Sequence, residues 1–229
     1  MGIMMARNFK KYLVESISTE EQDFNDESRR SSILLEHMKG LGYKFLRAGA
    51  FKAAFVNPKT HNVKIIQHDE SYRETANFKK WVSFCFQHSS NPHLPNISFS
   101  KPLTISGEKF IVANIERLFE VSSELSQIRE AIHELVKACT SAIGSTSILQ
   151  KDLKSKVIAD AKARLEASGD ITESMALLVL SVEDFDFLLG TLIDIINATP
   201  SSGFLDLHSG NFMIASDGTL VITDPWASF

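Results

Sequence analysis

The sequence predicts an α+β chain of two lobes: a five-strand, mostly antiparallel sheet, then a compact helical lobe that ends in a small hairpin. Three observations carry this. From Tyr43 to Ile115 the chain is a series of short apolar runs separated by Gly, Pro and Asn turns. From Ser122 to Ala198 apolar residues recur at spacings of three and four. Near the end, Asp217-Gly218 stands between two apolar runs, a strong hairpin signal. The regular strand–helix alternation that a doubly wound sheet requires is absent. The expected organisation is a single domain over 1–229, with a helical N-terminal extension at 1–40, the sheet lobe at 41–118 and the helical lobe at 119–229.

Each element has a local reason. Ser28 can cap a helix that buries Ile33, Leu34 and Met38 and ends at Gly40. Tyr43–Leu46 and Lys52–Val56 flank the Ala48-Gly49-Ala50 turn as a hairpin. Asn57-Pro58 turns the chain into a third strand at Val63–Gln67. Ser71–Gln87 fits a helix with Trp81, Phe84 and Cys85 inward, broken by the Asn91–Pro95 segment. Ile97–Leu103 and Phe110–Ile115 complete the sheet around Ser106-Gly107-Glu108. Leu125, Ile128, Ile132, Leu135, Val136, Cys139 and Ile143 form one helical stripe. Lys151–Ala167 reads as a second, more charged helix, and Gly169-Asp170 can start a third. Glu183–Ala198, with Phe185, Leu188, Leu189, Leu192, Ile193 and Ile196, is apolar enough to be central, and Pro200 ends it. Phe212–Ala215 and Leu220–Thr223 are the closing hairpin.

Composition narrows the function classes. With 229 residues, 44% hydrophobic and 23% charged, the chain reads as an ordinary globular protein of the cytoplasm. No stretch approaches the roughly 18 apolar residues of a membrane span. The N-terminus lacks a signal-peptide core, and Ala6 stands where a myristoylation motif wants Ser or Thr. A net charge of −4 without a basic run does not suggest a nucleic-acid partner. Cys85 and Cys139 sit in apolar patterns and read as buried free thiols.

The chemistry concentrates after Gly203. Asp206 and Asn211 have the D-x-x-x-x-N spacing of a kinase catalytic loop, and Asp224 follows at the end of a hairpin. Phosphoryl transfer needs such groups. One carboxylate positions the acceptor hydroxyl and takes its proton; an amide oxygen and a second carboxylate hold Mg²⁺ against the triphosphate of ATP. Taken alone, the segment would be a polar turn and an ordinary hairpin. The apolar helix before it and Asp224 after it favour the chemical reading.

The segment Asp206-Leu-His-Ser-Gly-Asn211 resembles the D-x-H-x-x-N loop of aminoglycoside-phosphotransferase-like kinases. Together with Ile222-Thr-Asp-Pro225 and the Gly49-Ala-Phe-Lys-Ala-Ala54 hairpin, it looks closer still to the early serine/threonine protein kinases of short-tailed, autographivirus-type coliphages. The resemblance implies a bilobal protein-kinase-like fold, Mg-ATP as cofactor, and a host bacterial protein as substrate in the host cytoplasm. It further implies that Gly49 and Phe51 cover the phosphates and that Lys64 contacts them. Glu74 would be the ionic partner of Lys64, with Glu70 as the alternative, and Glu116 and Leu118 would frame the hinge that receives adenine. Lys52, just after the glycine turn, is the next candidate if Lys64 is out of register. The segment also departs from protein kinases. Phe204 replaces the histidine of H-R-D, His208 replaces the catalytic-loop lysine, and Pro225-Trp226 replaces Phe-Gly. Only five residues follow Asp224, which leaves no room for an activation segment. Three readings therefore stand: a protein serine/threonine kinase, a small-molecule phosphotransferase suggested by His208, and a pseudokinase that grips a host protein.

Overall fold

The computed structural model describes residues 29–48, 52–69, 72–120, 126–144, 158–160, 162–163, 182–201 and 203–228. The readings at Ser28, at Gly49 and Phe51, at Glu70 and at Gly169-Asp170 lie outside them, as does most of the helix expected over Lys151–Ala167.

Helix α1 (Arg29–Gly40) buries Leu34, Leu35 and Met38. It stops where predicted, and Gly42 closes it. Gly42 takes a left-handed φ of 80°, and the amides of Gly42 and Tyr43 donate to the carbonyls of Lys39 and Met38 at 2.9 and 3.0 Å. Those two bonds satisfy carbonyls that the helix end leaves open.

The first lobe is an antiparallel sheet of β1 (Lys44–Ala48), β2 (Lys52–Val56), β3 (Val63–His68), β4 (Ile97–Phe99), β5 (Leu103–Ile105) and β6 (Glu108–Ile115). Its order is β1-β2-β3-β6-β4, with β5 also on β6. The expected five-strand path is present, but its fourth strand is broken in two. Phe99 faces Ala113 while Leu103 faces Phe110, so the edge carries one residue more than β6 between those pairs. Pro102 sits in the gap, where a residue without an N–H is tolerated.

Strand periodicity gives the sheet two working faces. Ala53, Phe55 and Ile66 join Leu34, Leu35 and Met38 in an outer core under α1. Val56, Val63, Ile111, Ala113 and Ile115 face the other way, into the main core. That inner face is covered by helix α2 (Tyr72–Gln87), whose Phe78, Trp81, Val82 and Cys85 are buried, and by the second lobe.

In the second lobe, α3 (Ser126–Gly144) buries Leu135, Ala138, Cys139 and Ala142. Helix α4 (Val182–Asn197) is central, as its composition predicts: Phe185, Leu188, Leu189, Leu192, Ile193 and Ile195 are all inaccessible to solvent. The expected hairpin forms as β9 (Phe212–Ile214) and β10 (Leu220–Ile222). Three short strands escape sequence reading. β7 (Phe119–Glu120) adds to β9, and β8 (Gly203–Leu205) pairs with β11 (Trp226–Ser228). Strands of two or three residues carry too little pattern to announce themselves.

The Asn91–Pro95 segment ties the sheet side of the molecule to α4 and the closing hairpin. The Asn91 amide donates to Thr191 Oγ1 on α4 at 2.9 Å. The His93 ring lies 2.8 Å from the Leu220 carbonyl, and the Ile222 amide donates to the His93 carbonyl at 2.9 Å. The connection after α2 is thereby tied to α4 and to the hairpin that carries the candidate site. No helix among the described residues is long and apolar enough to cross a membrane.

Candidate functional site

Two strand pairings hold the candidate loop at both ends. β8 delivers Asp206 and β11 leads away from Asp224, so pairing Leu205 with Trp226 draws those carboxylate-bearing segments together. The Asp206 amide donates to the Pro225 carbonyl at 2.7 Å. A short 3₁₀ turn (Ser209–Asn211) then feeds β9. β11 packs on α2: the Trp226 ring meets Trp81 edge-on at 5.4 Å and Phe84 at 5.7 Å, and its indole N–H donates to the Ile195 carbonyl at 3.2 Å. Gly203 is required by close approach. A Cβ there would come within 2.5 Å of the Ala227 carbonyl oxygen and 2.8 Å of Asn77 Nδ2.

Asn211 is the centre of the arrangement. Its side-chain amide donates to the carbonyls of Asp206 at 2.6 Å and of Asp224 at 3.1 Å. Its own carbonyl accepts from the Thr223 amide at 2.7 Å and the Thr223 hydroxyl at 3.1 Å. With both N–H bonds committed to backbone, the orientation of the carboxamide is set and Oδ1 is the atom left to receive a cation. Asp224 has a φ of 46°, in the left-handed region that Asp tolerates better than most residues but at a cost of about 1 kcal/mol or more. Backbone strain of this kind collects where a side chain must be aimed.

His208 is oriented too. Its Nδ1 accepts from the Gly210 amide at 3.0 Å, which places the ring proton on Nε2 in the neutral form. Nε2 stands 3.8 Å from the Asp206 carboxylate. The Asp206 side chain is partly exposed.

The structure corrects the lysine. Lys64 is on β3 as predicted, but on the outer face with Ile66. Its ammonium donates to Asn114 Oδ1 at 2.8 Å and stands 6.0 Å from the Tyr43 ring. Residues one apart on a strand point to opposite faces. Val63 and Ile65 have the inner face, so Lys64 is turned away from Asp224. Lys52 on β2 has the inner face, with Ala54 and Val56. Its ammonium forms an ion pair with Asp224 Oδ1 and lies 5.2 Å from the centre of the Phe78 ring. Lys52 is 17% exposed and Asp224 44%. Glu74 is half-buried in the first turn of α2, one helical turn before Phe78 and on the same side of that helix. The structure gives Lys64 to Asn114 and Lys52 to Asp224, so the predicted Lys64–Glu74 pairing is replaced.

The expected hinge lies at the end of β6, beside the Asn91–Pro95 connection. Glu116 is held there by Asn96: its carboxylate accepts from the Asn96 amide at 2.8 Å, and its own amide donates to the Asn96 carbonyl at 3.1 Å. Leu118 packs partly buried against the main core. Sequence reasoning missed Phe78, and it ranked Lys52 second. The alternation along β2 was visible, but not which face would meet the second lobe.

No protein-family model matches the chain, and no curated protein sequence matches it. Among solved structures, it is similar to an ethanolamine kinase of Plasmodium vivax at 12% identity, over 96% of this chain and 67% of that one, with a TM-score of 0.34. Agreement at that level is too slight to bear on the site, whose reading rests on its own geometry.

Proposed function

We propose that the chain is a Mg-ATP-dependent phosphotransferase built as one bilobal, kinase-like domain, and that it phosphorylates serine or threonine of a host bacterial protein. The observation that supports this best is the clamp at Asn211, which ties the Asp206 and Asp224 backbones together while Lys52 meets Asp224 from the sheet lobe. Asp206, Asn211 and Asp224 are a suitable donor set for this chemistry. The Asp224 carboxylate already faces a cation, the Lys52 ammonium, and the Asn211 carboxamide is fixed to the Asp224 backbone, with its Oδ1 not used in that bond. Mg²⁺ takes one or two protein oxygens and completes its shell from nucleotide phosphates and water.

In this reading a bound nucleotide would supply the phosphoryl group and Mg²⁺ would neutralise charge on it. Asp206 orients the acceptor hydroxyl and takes its proton as the new oxygen–phosphorus bond forms and ADP departs. Asn211 and Asp224 would hold the metal. Lys52 replaces Lys64 as the cation that steadies the phosphates. Gly49 and Phe51 would cover them, and the backbone near Glu116 and Leu118 would receive the adenine.

His208 favours a second reading, a small-molecule phosphotransferase, because its Nε2–H faces the Asp206 carboxylate where a protein kinase would place a cation for a peptide substrate. One experiment separates these. The wild type and Asp206→Asn are incubated with radiolabelled ATP and either bacterial lysate or a set of aminoglycosides and small amino alcohols. Label on protein bands with the wild type alone supports the protein kinase. Label on the small molecules alone supports the second reading. No label on either, with ATP-independent capture of one host protein, would leave a pseudokinase.

A further inference from the structure

Gln67 is the most conspicuous polar group that the proposed chemistry does not use. It is 1% exposed, and neither its Nε2 nor its Oε1 has a hydrogen-bond partner. A carboxamide buried with both ends open opposes folding, and a Met or Leu of similar volume would avoid that cost. Its position suggests what offsets it. In the β2–β3 ladder Gln67 is directly opposite Lys52. Both belong to the inner face of the sheet, two residues along from the Ala54–Ile65 pair that packs on the main core. Directly opposed side chains on one face have their Cβ atoms about 5 Å apart, within reach of two flexible chains.

The Lys52 ammonium now sits on Asp224, the carboxylate that a divalent cation would need. A divalent cation drawn to that carboxylate competes with the ammonium for its oxygens and repels it, so loading the site pushes Lys52 away from Asp224. The displaced ammonium is on a long stem, over the Phe78 ring, and needs an acceptor to keep it aimed. From these observations we propose that Gln67 is a positioning residue and the second seat of Lys52. Its Oε1 accepts the ammonium when Mg²⁺ claims Asp224, which holds the charge toward the phosphates. Asp224 and Gln67 are then the two acceptors between which the Lys52 ammonium moves. This rests on the phosphotransferase reading of the site.

The test is a double-mutant cycle of Gln67→Met and Lys52→Met. It reads binding of a non-hydrolysable ATP analogue with Mg²⁺ by calorimetry, and the melting temperature of the ligand-free protein. Gln67→Met should leave the ligand-free melting temperature unchanged or raised, because an unpaired polar group is removed. It should weaken Mg-nucleotide binding about tenfold, the scale of one charge-assisted hydrogen bond. In the Lys52→Met background the same change should have no effect on binding. Equal weakening in both backgrounds would mean that Gln67 touches the nucleotide directly and would overturn the proposal. Unchanged binding by Gln67→Met would overturn it alone, and a wild type that binds no Mg-nucleotide would overturn the phosphotransferase reading as well. Should Gln67→Met fold poorly, Gln67→Glu serves. A carboxylate there should draw Lys52 off Asp224 and tighten binding of Mg²⁺ alone severalfold, followed by calorimetry; unchanged Mg²⁺ affinity would refute the second seat.

Discussion

Replacing Lys52 and Lys64 in turn by methionine separates two lysines that sequence alone ranks in the opposite order. Methionine keeps most of the stem and deletes the charge. At Lys52 the stem stays near the Phe78 ring, and the losses are the ion pair to Asp224 and the cation–π contact. Asp224 is 44% exposed, so solvent screens the pair and rehydrates the carboxylate once the lysine is gone. A partly exposed pair contributes about 1 kcal/mol or less, and the ring contact about 0.5–1 kcal/mol. Lys52→Met should therefore cost about 1–2 kcal/mol, read as a melting temperature lower by a few degrees. The effect on phosphate transfer should be far larger, roughly 10²-fold or more in kcat, the scale of removing one preorganised electrostatic group. Lys64→Met loses an exposed hydrogen bond to Asn114 and a distant contact with the Tyr43 ring. It should change activity less than about twofold and stability by about 0.5 kcal/mol or less. The assay is steady-state transfer from radiolabelled ATP beside thermal melts of both variants. Full activity in Lys52→Met with loss in Lys64→Met would refute the face assignment of β2 and β3.

Asp224→Asn should keep stability within about 1 kcal/mol, since Asn also tolerates the left-handed backbone, yet abolish the Mg²⁺ dependence of nucleotide binding measured by calorimetry. Asp224→Ala should lose Mg²⁺ in the same way and about 1 kcal/mol more in stability, because alanine is strained at a φ of 46°. Gly203→Ala should destabilise by about 1–3 kcal/mol in urea unfolding, because the new methyl meets the Ala227 carbonyl and the Asn77 amide; unchanged stability would mean that β8 and β11 are not this close. Burial pushes the Cys139 thiol from its ordinary 9.0 up to about 12, and the Cys85 thiol higher still. Above about pH 9 the unfolded chain releases thiol protons that the native chain keeps, so stability falls as pH rises, by up to about 1.4 kcal/mol per unit for each thiol. Cys139→Ala should flatten that slope between pH 9 and 11, and both thiols of the native wild type should resist iodoacetamide at pH 8.

The parts of this protein that its sequence determined are those governed by neighbours along the chain. The stripe in Glu183–Ala198 marks a buried helix because six apolar side chains on one helix leave it nowhere else to go. Asp217-Gly218 closes a hairpin because the turn accepts a left-handed residue, and Gly218 has a φ of 97°. Asp206, Asn211 and Asp224 come together because a short loop and a hairpin of set length separate them. Tertiary structure decided what depends on which surface meets which. Alternation shows that Lys52 and Lys64 occupy opposite faces of the sheet, but it is silent on which face receives α2 and the second lobe. Only the packed sheet sends Lys52 to Asp224 and Lys64 to Asn114. For the same reason Gln67 reads in the sequence as an unremarkable polar end to a strand. Its burial with both polar ends open, directly across from Lys52, exists only once the sheet is packed.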